Sequence, residues 1–228
     1  MTNISAIHKV VQPASLRAHV ERMLSSAIIS GELAPGTLLT VPTLATQFDV
    51  SATPVREAML DLEKRGFVEP VRNKGFRVTA VSDTVLQEIV EVRQLLEPPA
   101  MEELAKRFPG DVLPEFELLA DDIIAGAKTG DLQGYLEADV EFHLKLTALL
   151  GNNLLTQTVA DLRSRTRLVG LVAMLESRHL EDSAAEHREL LGYLAAGDSS
   201  AARQLMHRHI HHALGWWSGK PEAEGDDA

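Results

Sequence analysis

No cysteine occurs anywhere in the 228-residue chain. That excludes a disulfide framework and a thiolate metal site, and it fits a reducing compartment. No apolar run reaches the roughly 18 residues that a spanning helix needs. The first dozen residues lack the apolar stretch of a signal peptide, so a cytoplasmic protein away from membranes is expected. Gly-rich phosphate loops, a Ser/His/Asp arrangement and internal repeats are also missing, and beyond residue 83 there is no strand pattern. Cations are scarce too, with a formal charge of −11. Spread evenly, such a charge would argue against nucleic-acid binding. Residues 1–80, however, hold 9 Lys/Arg against 7 Asp/Glu, and the other 148 hold 13 against 26. A slightly basic head on an acidic body keeps any DNA contact local to the head.

Within that head, Val50 to Leu62 reads as a helix entered from a tight turn. Ser51 is placed to cap it, and Pro54 sits in the first turn, where its missing donor is harmless. Val55, Ala58, Met59 and Leu62 recur at i, i+3, i+4 and i+7 and define one apolar face. Thr53, Arg56 and Lys64 fall off that face. Upstream, Thr40 can cap a short helix carrying Leu44, Ala45 and Phe48, and Asp49 in the turn tolerates a left-handed backbone. Two short helices so joined make a helix-turn-helix, whose second helix enters the major groove. The strand-like runs 67–70 and 76–79 flank a basic turn containing Arg72 and Lys74, a wing suited to phosphate or minor-groove contact. The DNA-facing set is therefore Thr40, Ser51, Thr53 and Arg56 with Arg72 and Lys74. A helix pair plus hairpin without a nucleic-acid role is the alternative.

The order Ser51-x-Thr-Pro-Val-Arg-Glu-Ala58, Leu62-Glu63-x-x-Gly66-Phe67-Val68 and Gly75-x-x-Val78 resembles the winged helix of GntR-type bacterial regulators. Ile28 to Gly36 is similar to that family's first helix and exit turn. The resemblance implies a site on double-stranded operator DNA. It also marks two departures: Ala52 stands where relatives often carry a guanine-reading arginine, and Pro42 replaces a polar residue. Arg56 is retained, so DNA binding is expected while the family's operator consensus is not carried over.

Residues 1–14 read as a loose arm, 15–80 as the winged helix, and 83–217 as six helices in an antiparallel bundle. Those helices are expected at Val85–Arg107 (kinked by Pro98-Pro99), Glu115–Lys128, Leu132–Leu150, Leu154–Leu175, one opened by a Ser183-x-x-Glu186 capping box, and one from Asp198 or Ser199 to about Trp217. Ser82 or Asp83 is placed to cap the first, and Gly197 to end the fifth. The acidic tail, residues 218–228, reads as disordered. The fold class is thus mainly α: an N-terminal winged helix-turn-helix followed by an all-α bundle.

Asp139 and His143 stand at i, i+4 on a helix whose other face carries Val140, Leu144 and Leu149, so both can reach one interior point. With His187 and His209 they would form a set suited to Zn, Ni, Mn or Fe(II). From spacing alone, satisfied core or surface histidines are the commoner outcome. Asp139-x-x-Phe142-His143, Glu186-His187-Arg188 and Met206-x-x-His209-Ile210 resemble the FadR-like branch of the family, with its helical FCD ligand-binding domain in a smaller six-helix form. That resemblance implies that Asp139, His143, His187 and His209 hold a divalent metal ion, zinc as isolated. It also implies that Arg93 meets a small carboxylate, hydroxy-acid or keto-acid effector and that the protein is a homodimer. The plain alternative for Arg93 is a surface ion pair with Glu97 at i+4. Arg163, Arg165 and Arg167 are candidates for a second cation. His207, His211 and His212 match no ligand position. The expected function is a non-enzymatic DNA-binding regulator acting as a repressor; the alternatives are a metalloenzyme with a nucleic-acid-binding head and a pure metal sensor.

Overall fold

The structure, a computed structural model, describes residues 16–80, 82–166, 174–175 and 178–215. The N-terminal arm and the acidic tail lie outside the described residues. Helix α1 (Leu16–Ile29) turns Val20, Leu24 and Ile28 inward at a four-residue spacing. Leu16, which begins the helix beyond the packed turns, is 57% exposed. Helix α2 (Val41–Gln47) is capped by the Thr40 hydroxyl, which accepts from the Thr43 amide at 3.3 Å. Asp49 takes the left-handed turn at φ 52°. Helix α3 (Ala52–Lys64) buries Val55, Ala58, Met59 and Leu62 completely, the four positions its periodicity selects. Ser51 does occupy the N-cap position of α3 with extended backbone, but its hydroxyl accepts no bond from the helix; its cap is positional only.

The wing consists of β2 (Val68–Val71) and β3 (Gly75–Val78), one residue displaced from the expected runs. A short strand that hydropathy does not signal, β1 (Leu38–Leu39), pairs with the other side of β3, giving the antiparallel order β1-β3-β2. Gly75 is required at that junction. Its φ is +117°, and a Cβ there would collide with the Leu39 carbonyl oxygen. Leu39, Phe67, Val68 and Val78 close the small core over α1, α2 and α3.

Helix α4 (Asp83–Ala105) follows, with the Ser82 hydroxyl accepting from Val85 N at 3.2 Å. Pro98 and Pro99 do not interrupt it. The turns beyond them bury Ala100, Met101, Leu104 and Ala105, and that packing carries the helix past the missing donors. After α5 (Leu113–Thr129) and α6 (Leu132–Ala148), helix α7 runs only from Asn153 to Arg165. It stops because Thr166 adopts an extended conformation (ψ 118°), so the single helix expected to Leu175 is not formed. Helix α8 spans His179–Ala196, one turn earlier than a capping box at Ser183 would allow. Leu180 and Ala184 are buried in that extra turn, and Ser183 becomes an interior residue rather than a cap. Gly197, at φ 72°, ends it, and the Asp198 side chain caps α9 (Ser199–His211). The stretch expected to stay helical to Trp217 passes into turn after His211, and Trp217 lies outside the described residues.

Helix α4 packs along α9, α5 along α6 and α8, and α7 crosses α4 and α6. The core of this bundle includes Met101, Phe116, Ile123, Tyr135, Phe142, Leu146, Leu190 and Met206. Close approach of α5 and α6 depends on Gly126, since a Cβ there would stand 2.9 Å from Tyr135 N. No described helix is long and apolar enough to cross a membrane.

Candidate metal centre

The face of α6 that enters the bundle carries Tyr135, Phe142 and Leu146, and Asp139 and His143 lie on it. The expectation that Val140, Leu144 and Leu149 mark the complementary apolar face is not met. Val140 is 43% exposed and the other two are half-buried. Core packing and the polar pair share one face because both follow the same four-residue rise. His187 projects from α8 and His209 from α9 to meet them, and Asp139, His143, His187 and His209 are 4%, 3%, 1% and 1% exposed.

One ligand atom from each of the four lies within 4.8 Å of all the others. His143 Nε2 and His187 Nε2 are 3.1 Å apart; Asp139 Oδ1 is 3.1 Å from His187 Nε2 and 3.6 Å from His143 Nε2. Metal–nitrogen bonds of about 2.0–2.1 Å would put neighbouring ligand atoms roughly 3 to 3.5 Å apart, so these spacings fit one ion. Burial presses His143 well below the ordinary imidazole pKa, and burial brings His209 down to about 4. Both rings are therefore neutral at pH 7, the form a metal needs. Burial pushes the Asp139 carboxyl up, but the neighbouring His143, His187 and Arg163 outweigh it and hold it ionised. The cluster can hold a divalent ion.

Outer groups fix two of the histidine ligands. His187 Nδ1 is 3.1 Å from the Ala184 carbonyl, and His209 Nδ1 is 2.8 Å from Glu186 Oε2. Glu186 Oε1 also accepts from Arg208 Nε at 3.0 Å and faces His212 Nε2 at 3.2 Å. Such contacts select the tautomer whose other nitrogen faces inward. Sequence reasoning missed Glu186 and His212. Glu186 looked like a capping residue, and only its position beside His187, together with the three-residue step from His209 to His212, could have pointed to them.

Arg93 is not the surface residue of the plain alternative, although it does pair with Glu97. It is 1% exposed, with Nε 2.6 Å from Glu97 Oε1 and Nη1 3.4 Å from Thr166 Oγ1. Its Nη2 is buried without a hydrogen-bond partner among the described residues. Of the candidate second cations, Arg163 reaches the cluster. It donates Nη2 and Nε to Glu97 Oε2 at 2.7 and 3.0 Å and Nη1 to Asp139 Oδ2 at 3.3 Å. Arg165 points to solvent, and Arg167 lies outside the described residues. Burial alone would raise the Glu97 carboxyl, but Arg163 and Arg93 bring it down to about 2. His207 and His211 are exposed, as expected.

On the head, Ser51, Thr53, Arg56, Arg72 and Lys74 are exposed, whereas Thr40 is half-buried with its hydroxyl 2.8 Å from that of Thr43. Arg17 and Lys64 pair with Asp61, Arg65 with Glu21 and Arg77 with Glu69. Arg56, Arg72 and Lys74 have no such carboxylate among the described residues. Among the described residues of the head, the cations left without a carboxylate partner are these three and Arg22 on α1.

This pairing of a winged helix with a helical bundle has relatives. Residues 16–78 match the model for bacterial regulatory proteins of the gntR family, and residues 88–212 match the FCD domain. The chain belongs to the GntR family. A regulator of the Nta operon from Aminobacter aminovorans is 30% identical over 187 residues, covering 80% of this chain and 86% of that one. The transcriptional repressor GlaR of Escherichia coli is 28% identical, covering 83% and 90%. Among solved structures, E. coli McbR/YncC superposes with a TM-score of 0.71 at 26% identity, over 87% of this chain and 94% of that one. A putative GntR regulator from Rhodococcus gives 0.69 at 26%, over 89% and 97%. Both halves of this GntR-family chain are those of transcriptional regulators and not of enzymes, which removes the metalloenzyme alternative.

Proposed function

We propose that this regulator is a homodimeric, cytoplasmic repressor whose operator affinity is set by a small organic acid at a divalent-metal site. Asp139, His143, His187 and His209 are the ligands in this reading, with zinc the ion as isolated. The observation that carries it is the convergence of four buried ligand atoms within 4.8 Å. Three neutral imidazoles and one carboxylate leave a two-plus ion with a net charge of about +1, which attracts an anion to its open positions. Residues 15–80 supply the DNA contact, with Arg56 at a base edge, Thr53, Ser51 and Thr40 beside it, and Arg72 and Lys74 on phosphate. Residues 83–217 bind the ligand and join the two copies.

Arg93 serves the acid differently from a free guanidinium fork. Its Nε is held by Glu97 and its Nη1 reaches Thr166, so the nitrogen left for an acid is Nη2. The burial of all four ligands favours a second reading, in which the metal itself is the signal. Elemental analysis of protein purified without chelator decides the metal, with one ion per chain expected. His187→Ala should lose that ion and the effector response while DNA binding stays measurable. Protein with no stoichiometric metal, and a melting temperature indifferent to added zinc, would sink the proposal. Operator affinity that follows metal but no acid would favour the sensor.

A further inference from the structure

Four charged groups are sealed together here, Asp139 of the cluster and, beside it, Arg163, Glu97 and Arg93, exposed by 4%, 8%, 2% and 1%. Two guanidiniums oppose two carboxylates, so the group is neutral. Glu97 is the hinge of the arrangement. Its Oε1 accepts from Arg93 Nε, and its Oε2 accepts from Nε and Nη2 of Arg163. Those are the donors with which a pair of arginines would grip a free carboxylate. A carboxylate of the protein already stands where one from solution would bind. What remains for a ligand is Arg93 Nη2, buried and without a hydrogen-bond partner among the described residues.

We propose that Glu97 is a resident carboxylate that makes acid recognition at this site conditional on the metal. This rests on the ligand reading above and refines it. Without the ion, an incoming anion meets a neutral group whose arginines are taken, and must shed its hydration for one donor. With the ion, the site gains two positive charges, and a carboxylate can bind there while a second oxygen accepts from Arg93 Nη2. The class selected is a small acid with two oxygens on neighbouring carbons or carboxylates, carrying one or two negative charges. A residue present only for packing would not impose this condition.

The test uses full-length protein, metal-stripped or zinc-loaded, titrated calorimetrically with malate as probe. The zinc-loaded wild type should bind malate, and the stripped wild type should bind at least tenfold more weakly. Glu97→Gln, stripped, should bind malate at least tenfold more tightly than the stripped wild type, because one guanidinium loses its acceptor and the two positive charges lose the Glu97 counter-charge. Should that variant fail to fold, Glu97→Asp keeps the charge with a shorter reach, cannot span both arginines, and should show a smaller gain in the same direction. Stripped wild type that binds malate as well as the loaded protein overturns the inference. So does a folded Glu97 variant with no gain while the loaded wild type does bind. If the loaded wild type binds no malate, succinate or lactate, the effector reading falls instead, and a gain in stripped Glu97→Gln would still mark Glu97 as the occupant of the arginine pair.

Discussion

At the residue scale, the histidines of the cluster are set by what lies behind them. Glu186 accepts from the outer nitrogen of His209, which leaves Nε2 facing inward. Glu186→Ala should lower zinc affinity about 10- to 100-fold with the four ligands intact, as loss of an outer partner commonly does. A competition titration against a chromophoric chelator measures this, and unchanged affinity would remove Glu186 from the site. Burial also gives the metal-free protein a defined pH response. His209 takes a proton near pH 4 when folded and near 6.5 when unfolded. The unfolded chain thus binds more protons between those values, so stability is complete above about 6.5 and falls as pH drops towards 4. The loss amounts to about 3 kcal/mol. Glu97 acts lower, with its contribution present above 4.5 and lost as pH falls towards 2. Denaturant unfolding of stripped protein from pH 7 to 4 should show a midpoint declining with acid, and a flat midpoint would contradict the buried neutral imidazole.

At the scale of elements, α3 divides its labour by face. Val55, Ala58, Met59 and Leu62 carry the packing, so Met59→Ala should cost about 2–5 kcal/mol by leaving a cavity. Thermal or denaturant unfolding checks it. The opposite face carries Arg56. Arg56→Ala should cost about 1–3 kcal/mol on the operator and little on random DNA, whereas Lys74→Ala should weaken both and flatten the salt dependence. Equal loss on the two DNAs for Arg56→Ala would show that this residue reads no base. The wing and the bundle also differ in how far local pattern foretold them. The 3.6-residue repeat of α3 was plain because one face is wholly buried. β1 escaped notice because two residues have no period; Leu38-Leu39 becomes a strand only where β3 offers it an edge. Likewise α8 starts early because Leu180 finds a buried place, which outweighs the local attraction of a Ser-x-x-Glu cap.

At the scale of the molecule, the proposed confinement of DNA contact to α3 and the wing rests on charge: the head is slightly basic and the bundle acidic. The bundle still shows apolar side chains to solvent, among them Val85, Val92 and Leu95 along α4, 41%, 41% and 75% exposed. If this stripe lies in the homodimer, Leu95→Glu should move the protein from dimer to monomer in sedimentation velocity and weaken binding to a two-half-site operator far more than to one half-site. A variant that stays dimeric would place the interface on another face.

What the sequence determined by itself was whatever depends on short-range spacing and side-chain chemistry. The apolar face of α3, the left-handed turn at Asp49, the glycine stop at Gly197, and the Asp139/His143 pair one turn apart all follow from the period of a helix and the tolerances of single residues. The tertiary structure decided what depends on distant segments meeting. Glu97 lies 66 residues from Arg163, and Glu186 lies 23 from His209, yet each forms a buried contact. No local period encodes such a meeting, because it is fixed by which helices pack together. The same packing turned Arg93 from a surface ion pair into a sealed one, and Ser183 from a helix cap into core. In each case the burial of apolar neighbours outweighed the local preference of the residue.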